Sequence, residues 1–192
     1  MSSAQKDAAP RPRADAARNR AKIVAAAREA FAAGDGAVSF DALARTAGVG
    51  VATLYRNFPS RQALVEAVYR SDLDDLVALV DTLLASQPAD AALRHWVDRY
   101  AVFVATKHGM AEAFQQAVAA GSIGVGETRE RIRAAIGRFL AAGATAGTLR
   151  ADVDPDDATT ALLGAVLGVT ASGADARQHS RVLDIVVDGL RP

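Results

Sequence analysis

Residues 39–58 read SFDALARTAGVGVATLYRNF, and the fold can be argued outward from them. Ser39 carries the acceptor oxygen of an N-cap, and Asp41 puts a negative charge in the first turn that follows. Phe40, Leu43, Ala44 and Ala47 recur at helical spacing and define one apolar stripe. Gly48 comes next, the residue able to take a left-handed conformation at a helix end without steric cost. Val49 and Gly50 complete a short turn. A second helix starts near Val51, with Leu54 and Phe58 one turn apart on its buried side. The small Ala44, four residues before Gly48, suits a close crossing of two helices. Spacing alone allows a helix-turn-helix or a plain helical hairpin.

In the first case the second helix lies in the major groove of DNA, with its N-terminal residues at base edges. Its outward face holds Val51, Ala52, Thr53, Tyr55, Arg56 and Asn57. Small apolar groups and the Thr53 methyl or hydroxyl suit thymine methyls and edge hydrogen bonds. Tyr55, Asn57 and Arg61 have the reach and donors for phosphate oxygens, which position the helix without reading sequence. Ser39, Thr46 and Gly50 complete the candidate DNA-facing set.

The longer stretch LARTAGVGVATLYRNFPSRQALV, residues 43–65, resembles the signature of the TetR (tetracycline-repressor) family of bacterial transcriptional regulators. The resemblance is carried by Leu43, Ala44, Ala47, Gly48, Val49, Thr53, Leu54, Tyr55, Phe58, Ser60, Arg61 and Leu64. Gly50 stands where a serine is common, Val51 where a polar residue is common, and Asn57 where histidine or tyrosine is common. The first two leave fewer polar groups at the groove. The resemblance implies an all-α fold of about nine helices. Residues 15–61 would form a three-helix DNA-binding domain, and residues 62–192 a helical ligand-binding and dimerisation domain. A linking helix over 60–86 would join them.

Composition agrees with a two-part protein. The 192 residues are 51% hydrophobic and have no net charge. The charge is unevenly placed, however. Residues 1–61 hold ten Lys/Arg against five Asp/Glu, and the remainder holds twelve against seventeen. A basic end on an acidic body is the footprint of a modular DNA-binding protein. The absence of cysteine removes disulfides, thiol nucleophiles and Cys-ligated metals. The first residues lack a signal peptide's apolar core, so a reducing cytoplasm is expected. The longest apolar run, Ala161 to Thr170, is about half the ~20 residues of a membrane helix.

Along the chain, residues 1–14 are polar and contain Pro10 and Pro12, so a disordered arm is expected. Its Lys6, Arg11 and Arg13 suit the phosphates or the minor groove, or a merely solvated tail. A first helix is expected over Asp15–Ala33 and a fourth from Ser60 to Ser86, continuous from the DNA-binding end into the body. A fifth runs from Pro88 to His108 with the stripe Leu93, Trp96, Val97, Tyr100 and Val104. Shorter and longer helices follow over Gly109–Ala120, Glu127–Thr148, Asp154–Ala171 and Asp175–Leu190.

Trp96, Tyr100, Phe103, His108, Phe114 and Gln115 are the candidate wall of a small-molecule cavity, with ordinary core packing as the alternative for each. Gly164 and Gly168 lie four apart among Leu163, Leu167 and other apolar residues, which lets helices approach closely. Val182 and Val186 belong to a last helix apolar around much of its circumference, hence buried on more than one side. The resemblance assigns these last two helices to a four-helix dimer interface. It further implies a homodimer on a double-stranded DNA operator, released by a small-molecule inducer, with no metal or other cofactor and no membrane partner.

Enzymatic chemistry finds no support. The three histidines share no metal-ligand spacing, and there is no Gly-x-Ser-x-Gly elbow. The run GSIGVG at 121–126 lacks a Gly-Lys-Ser/Thr and a preceding strand, so it is not a phosphate loop. Two rivals remain on sequence grounds. One is a TetR-like regulator controlled by a protein partner. The other is a helical binding or enzymatic module whose DNA motif is fortuitous.

Overall fold

Why the chain ends and restarts its helices where it does is visible in the caps. The computed structural model describes residues 12–33, 38–107 and 110–192, with side chains from Ala14 onward. The elements are α1 (Pro12–Ala32), α2 (Phe40–Ala47), α3 (Val51–Asn57), α4 (Arg61–Ser86), α5 (Ala89–Thr106), α6 (Ala111–Ala119), α7 (Val125–Ala146), α8 (Pro155–Ala171) and α9 (Ala176–Asp188). Among the described residues there is no strand, and the fold is all-α as expected. Ser39, Ser60, Asp154 and Asp175 each accept a backbone N–H from the first turn of α2, α4, α8 and α9. Each cap satisfies a donor that has no partner within its helix, at a gain of about 1 kcal/mol.

Three helix starts differ from expectation by two or three residues, the sixth helix beginning at Ala111 rather than Gly109. The first helix begins at Pro12 rather than Asp15. Proline loses nothing at a first helical position, where the N–H has no partner anyway. Residues 12–14 therefore belong to α1 and not to an arm, and the rest of the expected arm lies outside the described residues. The seventh helix begins at Val125, two residues before Glu127, after Gly124 in an extended conformation.

Burial falls into two clusters. The N-terminal one joins Ile23, Ala27 and Phe31 of α1 to Leu43, Ala44 and Ala47 of α2, Leu54 of α3, Phe58, and Leu64, Val65 and Val68 of α4. Phe31, Leu43, Leu54, Phe58 and Leu64 are almost fully buried, at roughly 1.5–3 kcal/mol each. The body cluster takes over at Tyr69 and includes Leu76, Val80, Trp96, Phe139, Ile136, Leu162 and Leu183. The change of core thus falls inside α4, between Val68 and Tyr69. A helix of 26 residues, roughly 39 Å long, serves both halves without a linker.

The α6 segment is a second bridge. Met110, just before it, and Ala113 pack into the N-terminal cluster, while Ala117 packs into the body. Phe114 touches both. A third tie is ionic. Arg28 of α1 pairs with Asp72 and Asp75 of α4, and donates a hydrogen bond to Ser71. Further along, α7 turns sharply at its end. A Cβ on Gly143 would lie about 2.5 Å from Leu149, so the return of the chain needs glycine there. No helix among the described residues is long and apolar enough to cross a membrane.

Candidate functional site

The turn between α2 and α3 depends on Gly48, whose φ of 64° is left-handed. There the Gly48 N–H donates to Arg45 O at 3.1 Å and the Val49 N–H to Ala44 O at 3.0 Å, engaging carbonyls at the end of α2. Leu54 anchors α3 from below and Phe58 closes its far end. What remains outward is Val51, Ala52, Tyr55 and Arg56, all exposed, with Thr53 and Asn57 half-buried beside them. Thr46 on α2 and Gly50 in the turn are also exposed. Ser39 is exposed, but its Oγ is engaged as the α2 cap, accepting from the Ala42 N–H at 3.2 Å.

Contacts within this surface give its side chains distinct parts. The Tyr55 ring packs against Phe40 with 5.1 Å between centroids, which braces an otherwise half-exposed side chain. Arg56 Nη2 donates to Thr53 Oγ1 at 3.0 Å, and Asn57 Nδ2 to Thr53 O at 2.8 Å. Arg20 Nη1 donates to Asn57 O at 3.3 Å, and its guanidinium lies 4.4 Å from the Phe58 ring centroid. That places a cation at the C-terminal end of α3, where the helix dipole favours it. Arg20 is thus turned onto the protein, while Lys22 and Arg45 are exposed.

Arg61 departs from the sequence reading. Its Nη1 donates to Val38 O at 3.1 Å, and its guanidinium lies 5.7 Å from the centroid of Phe31. Nη2 is buried without a partner among the described residues. The side chain is turned inward, holding the start of α4 against α1 and the segment before α2. In this arrangement its guanidinium is engaged by the protein rather than turned outward.

Two cavities lie in or beside the body. The larger, about 680 Å³, is a cleft between α1, α4 and α5. Its charged walls include Arg28, Asp72 and Asp75, which pair with one another, and His95 and Arg99. The smaller, about 230 Å³, is mainly apolar. It is walled by Tyr69 of α4, Tyr100 and Phe103 of α5, Lys107 just after α5, Phe114 of α6, Val125 to Ile132 of α7, and Thr159 and Leu163 of α8. Three expected wall residues, Tyr100, Phe103 and Phe114, do line it.

Trp96 and Gln115 do not. Trp96 is wholly buried in the core, its indole N–H donating to Leu76 O at 2.9 Å and its ring stacked on Tyr100 at 5.5 Å. It backs the wall without reaching it. Gln115 is exposed on α6. His108 lies outside the described residues. Leu163, expected at a dimer interface, also lines the cavity.

Sequence reading missed Tyr69 and Lys107. The Lys107 ammonium sits among three rings, 4.2 Å from the Phe103 centroid, 5.3 Å from Tyr69 and 5.7 Å from Phe114. Burial lowers its pKa to about 8. Burial likewise raises the Tyr100 phenol to about 12, with Arg129 pulling the other way.

The α8–α9 surface is apolar and open. Leu167 is 45% exposed and Ile185 70%. Gly164 and Gly168 are exposed, and nothing lies within 4 Å of where a Cβ on either would stand. Val182 and Val186 are half-buried at its edge, with Leu183 and Val187 turned into the core.

Comparison with known proteins agrees with this geometry. Residues 23–68 match the family model described as bacterial regulatory proteins, tetR family. Residues 87–192 match that described as transcriptional regulator SbtR-like, C-terminal domain. No curated protein sequence matches the chain. Among solved structures, a TetR transcriptional regulator from Streptomyces coelicolor is 39% identical, with 90% of this chain and 98% of that one covered and a TM-score of 0.78. The TetR transcription regulatory protein from Mycobacterium vanbaalenii is 35% identical, with 94% and 99% covered and a TM-score of 0.73. Both family models describe regulators, not enzymes. With its helix-turn-helix, its shared fourth helix and matches over both halves, the chain belongs to the TetR family of DNA-binding transcriptional regulators.

Proposed function

We propose that the protein works as a homodimeric repressor, released from a quasi-palindromic operator by a small molecule held in the 230 Å³ cavity. In this reading each subunit places α3 in a major groove. Val51, Ala52 and Thr53 meet base edges, while Tyr55, Arg56 and Asn57 lie toward the backbone. Two-fold symmetry then sets half-sites about 34–36 Å apart, or a multiple of that. The open strip of Gly164, Leu167, Gly168 and Ile185 supports pairing through α8 and α9, because small residues without covering atoms admit a second helix at close range.

The observation that carries the reading is the position of Tyr69. It lines the cavity, and it is the first residue of α4 to leave the N-terminal cluster, directly after Val68. A ligand touching Tyr69 or Phe114 therefore acts on side chains one step from the core that holds the helix-turn-helix. Such a ligand shifts the balance only by its differential affinity for the two arrangements; moving it from 1:99 to 99:1 takes roughly 10⁴-fold.

The test is a binding selection of random duplex DNA against the purified protein at two salt concentrations. A recovered palindrome whose affinity falls with salt is the expected result, and its half-site spacing gives the dimer geometry. Failure to recover any motif at low salt would refute the operator reading.

A further inference from the structure

We propose that the ligand of the small cavity is an anionic amphiphile, an apolar body ending in a carboxylate that is met by the Lys107 ammonium. This rests on reading the cavity as an effector site. The argument is one of elimination among the polar groups in the wall. Tyr69 OH donates to Thr128 Oγ1 at 2.7 Å, and Thr128 Oγ1 donates to Gly124 O at 3.1 Å. Thr159 Oγ1 donates to Pro155 O at 2.6 Å. Arg129 is paired with Asp156 and bonded to Thr160. All four are engaged by the protein itself. Lys107 and Tyr100 are different: among the described residues, no carboxylate acts on the lysine and no hydrogen bond acts on the phenol.

Lys107 is the C-cap of α5 through its backbone, its N–H donating to Val104 O at 3.2 Å, but its ammonium is not spent on the helix end. A lysine at a helix end ordinarily reaches for the last carbonyls or for water. Here the ammonium turns into a cage formed by rings from α4, α5 and α6. Each ring face attracts a cation, which offsets part of the cost of leaving water. Burial still dominates, yet with a pKa of about 8 the group remains mostly charged at neutral pH. A half-buried positive charge facing an apolar cavity, with no carboxylate on it among the described residues, suits an anionic partner. Tyr100, seven residues earlier on α5, also lines the cavity and offers a further O–H donor to its polar side.

Size narrows the class further. A cavity of about 150 Å³ takes benzene, so 230 Å³ holds roughly ten non-hydrogen atoms. Val125, Ile132 and Leu163 give the far wall no polar partner for a second charged end.

The experiment compares octanoate, octanamide and octylamine by isothermal titration calorimetry on the full chain, and by operator release. Octanoate should bind at least ~10-fold more tightly than octanamide, and octylamine should not bind. Lys107→Met should weaken octanoate about 10–100-fold while leaving octanamide unchanged or tighter. Lys107→Arg, which keeps the charge, should retain the preference for the acid should the methionine variant fold poorly. Arg129→Gln should retain it too, since Arg129 is already paired.

Equal binding of acid and amide, preference for the amine, or no binding of octanoate at about 1 mM would each overturn the proposal. Operator release by a neutral compound of similar size would do so while leaving the effector reading intact. Absence of release by every compound class, with operator binding established, would count against that reading as well.

Discussion

Replacing Arg28 with methionine asks how α1 is held to α4. Arg28 Nε lies 2.5 Å from Asp72 Oδ1, and Nη2 lies 2.8 Å from Asp75 Oδ2 and 3.1 Å from Ser71 Oγ. The Asp72 side chain is 12% exposed, that of Arg28 37% and that of Asp75 64%. Burial opposes both charges of the inner pair. For Arg28, two carboxylates outweigh burial and hold the guanidinium more firmly protonated. For Asp72, burial wins over the attraction of Arg28 and the weaker pull of Arg99, so its pKa stays above the ordinary carboxylate value.

Methionine keeps the apolar stem and removes the charge, leaving Asp72 nearly buried without its close partner. Exposed pairs contribute about 0–1 kcal/mol, and breaking a buried pair costs about 3–5 kcal/mol. With one partner buried and the other a third exposed, the loss should fall between, at roughly 1–3 kcal/mol at pH 7.

The pH dependence has a definite sign. A carboxyl whose pKa is higher folded than unfolded binds its proton more readily in the folded state. Its charge therefore opposes folding above the folded pKa, and that opposition fades as pH falls toward the unfolded value of roughly 3.9. Removing Arg28 raises the folded value further, so the variant's deficit should shrink as pH drops from 7 to about 4.5. Asp72→Asn should rescue Arg28→Met at pH 7, since no buried charge then remains. Urea denaturation of the wild type, both single variants and the double variant at the two pH values measures this cycle. An equal deficit at both pH values, or a double variant within about 0.3 kcal/mol of the sum of the singles, would refute the reasoning.

Two further outcomes are expected. Gly168→Glu places a charge on the open α8 strip, and light scattering should report monomers; a surviving dimer would put the interface elsewhere. Thr53→Ala should relax preference at one operator position, whereas Arg56→Ala should weaken all sequences alike and flatten the salt slope by about one. Reversed behaviour of the two variants would exchange their assignments.

What could be read from sequence follows the range of the forces involved. Caps, glycine stops and apolar periodicity act within one helix, and they placed the helix ends within about three residues, with α8 ending at Ala171 as expected. The same range explains why the α2–α3 turn was legible, since Ser39, Gly48 and Leu54 settle it among themselves. Side-chain roles depend instead on what stands across from a helix. Arg61 reads as a surface cation at a helix start, but Val38 and Phe31, from two other segments, turn it inward. Trp96 and Tyr100 share one stripe on α5, one turn apart. Phe139 of α7 and the Leu76 carbonyl of α4 fill the space opposite Trp96, while Tyr100 faces a gap.

Lys107 is the sharpest case. One lysine after a helix looks like an ordinary C-terminal cation, and no local pattern sets it apart. Its meaning changes because Tyr69, Phe103 and Phe114, spread over three helices, converge around its ammonium. Tyr69 was equally hidden, as one more residue on the long apolar side of α4. A cavity in a helical protein is a mismatch between the stripes of several helices. It is therefore written in the differences between faces that are each unremarkable alone.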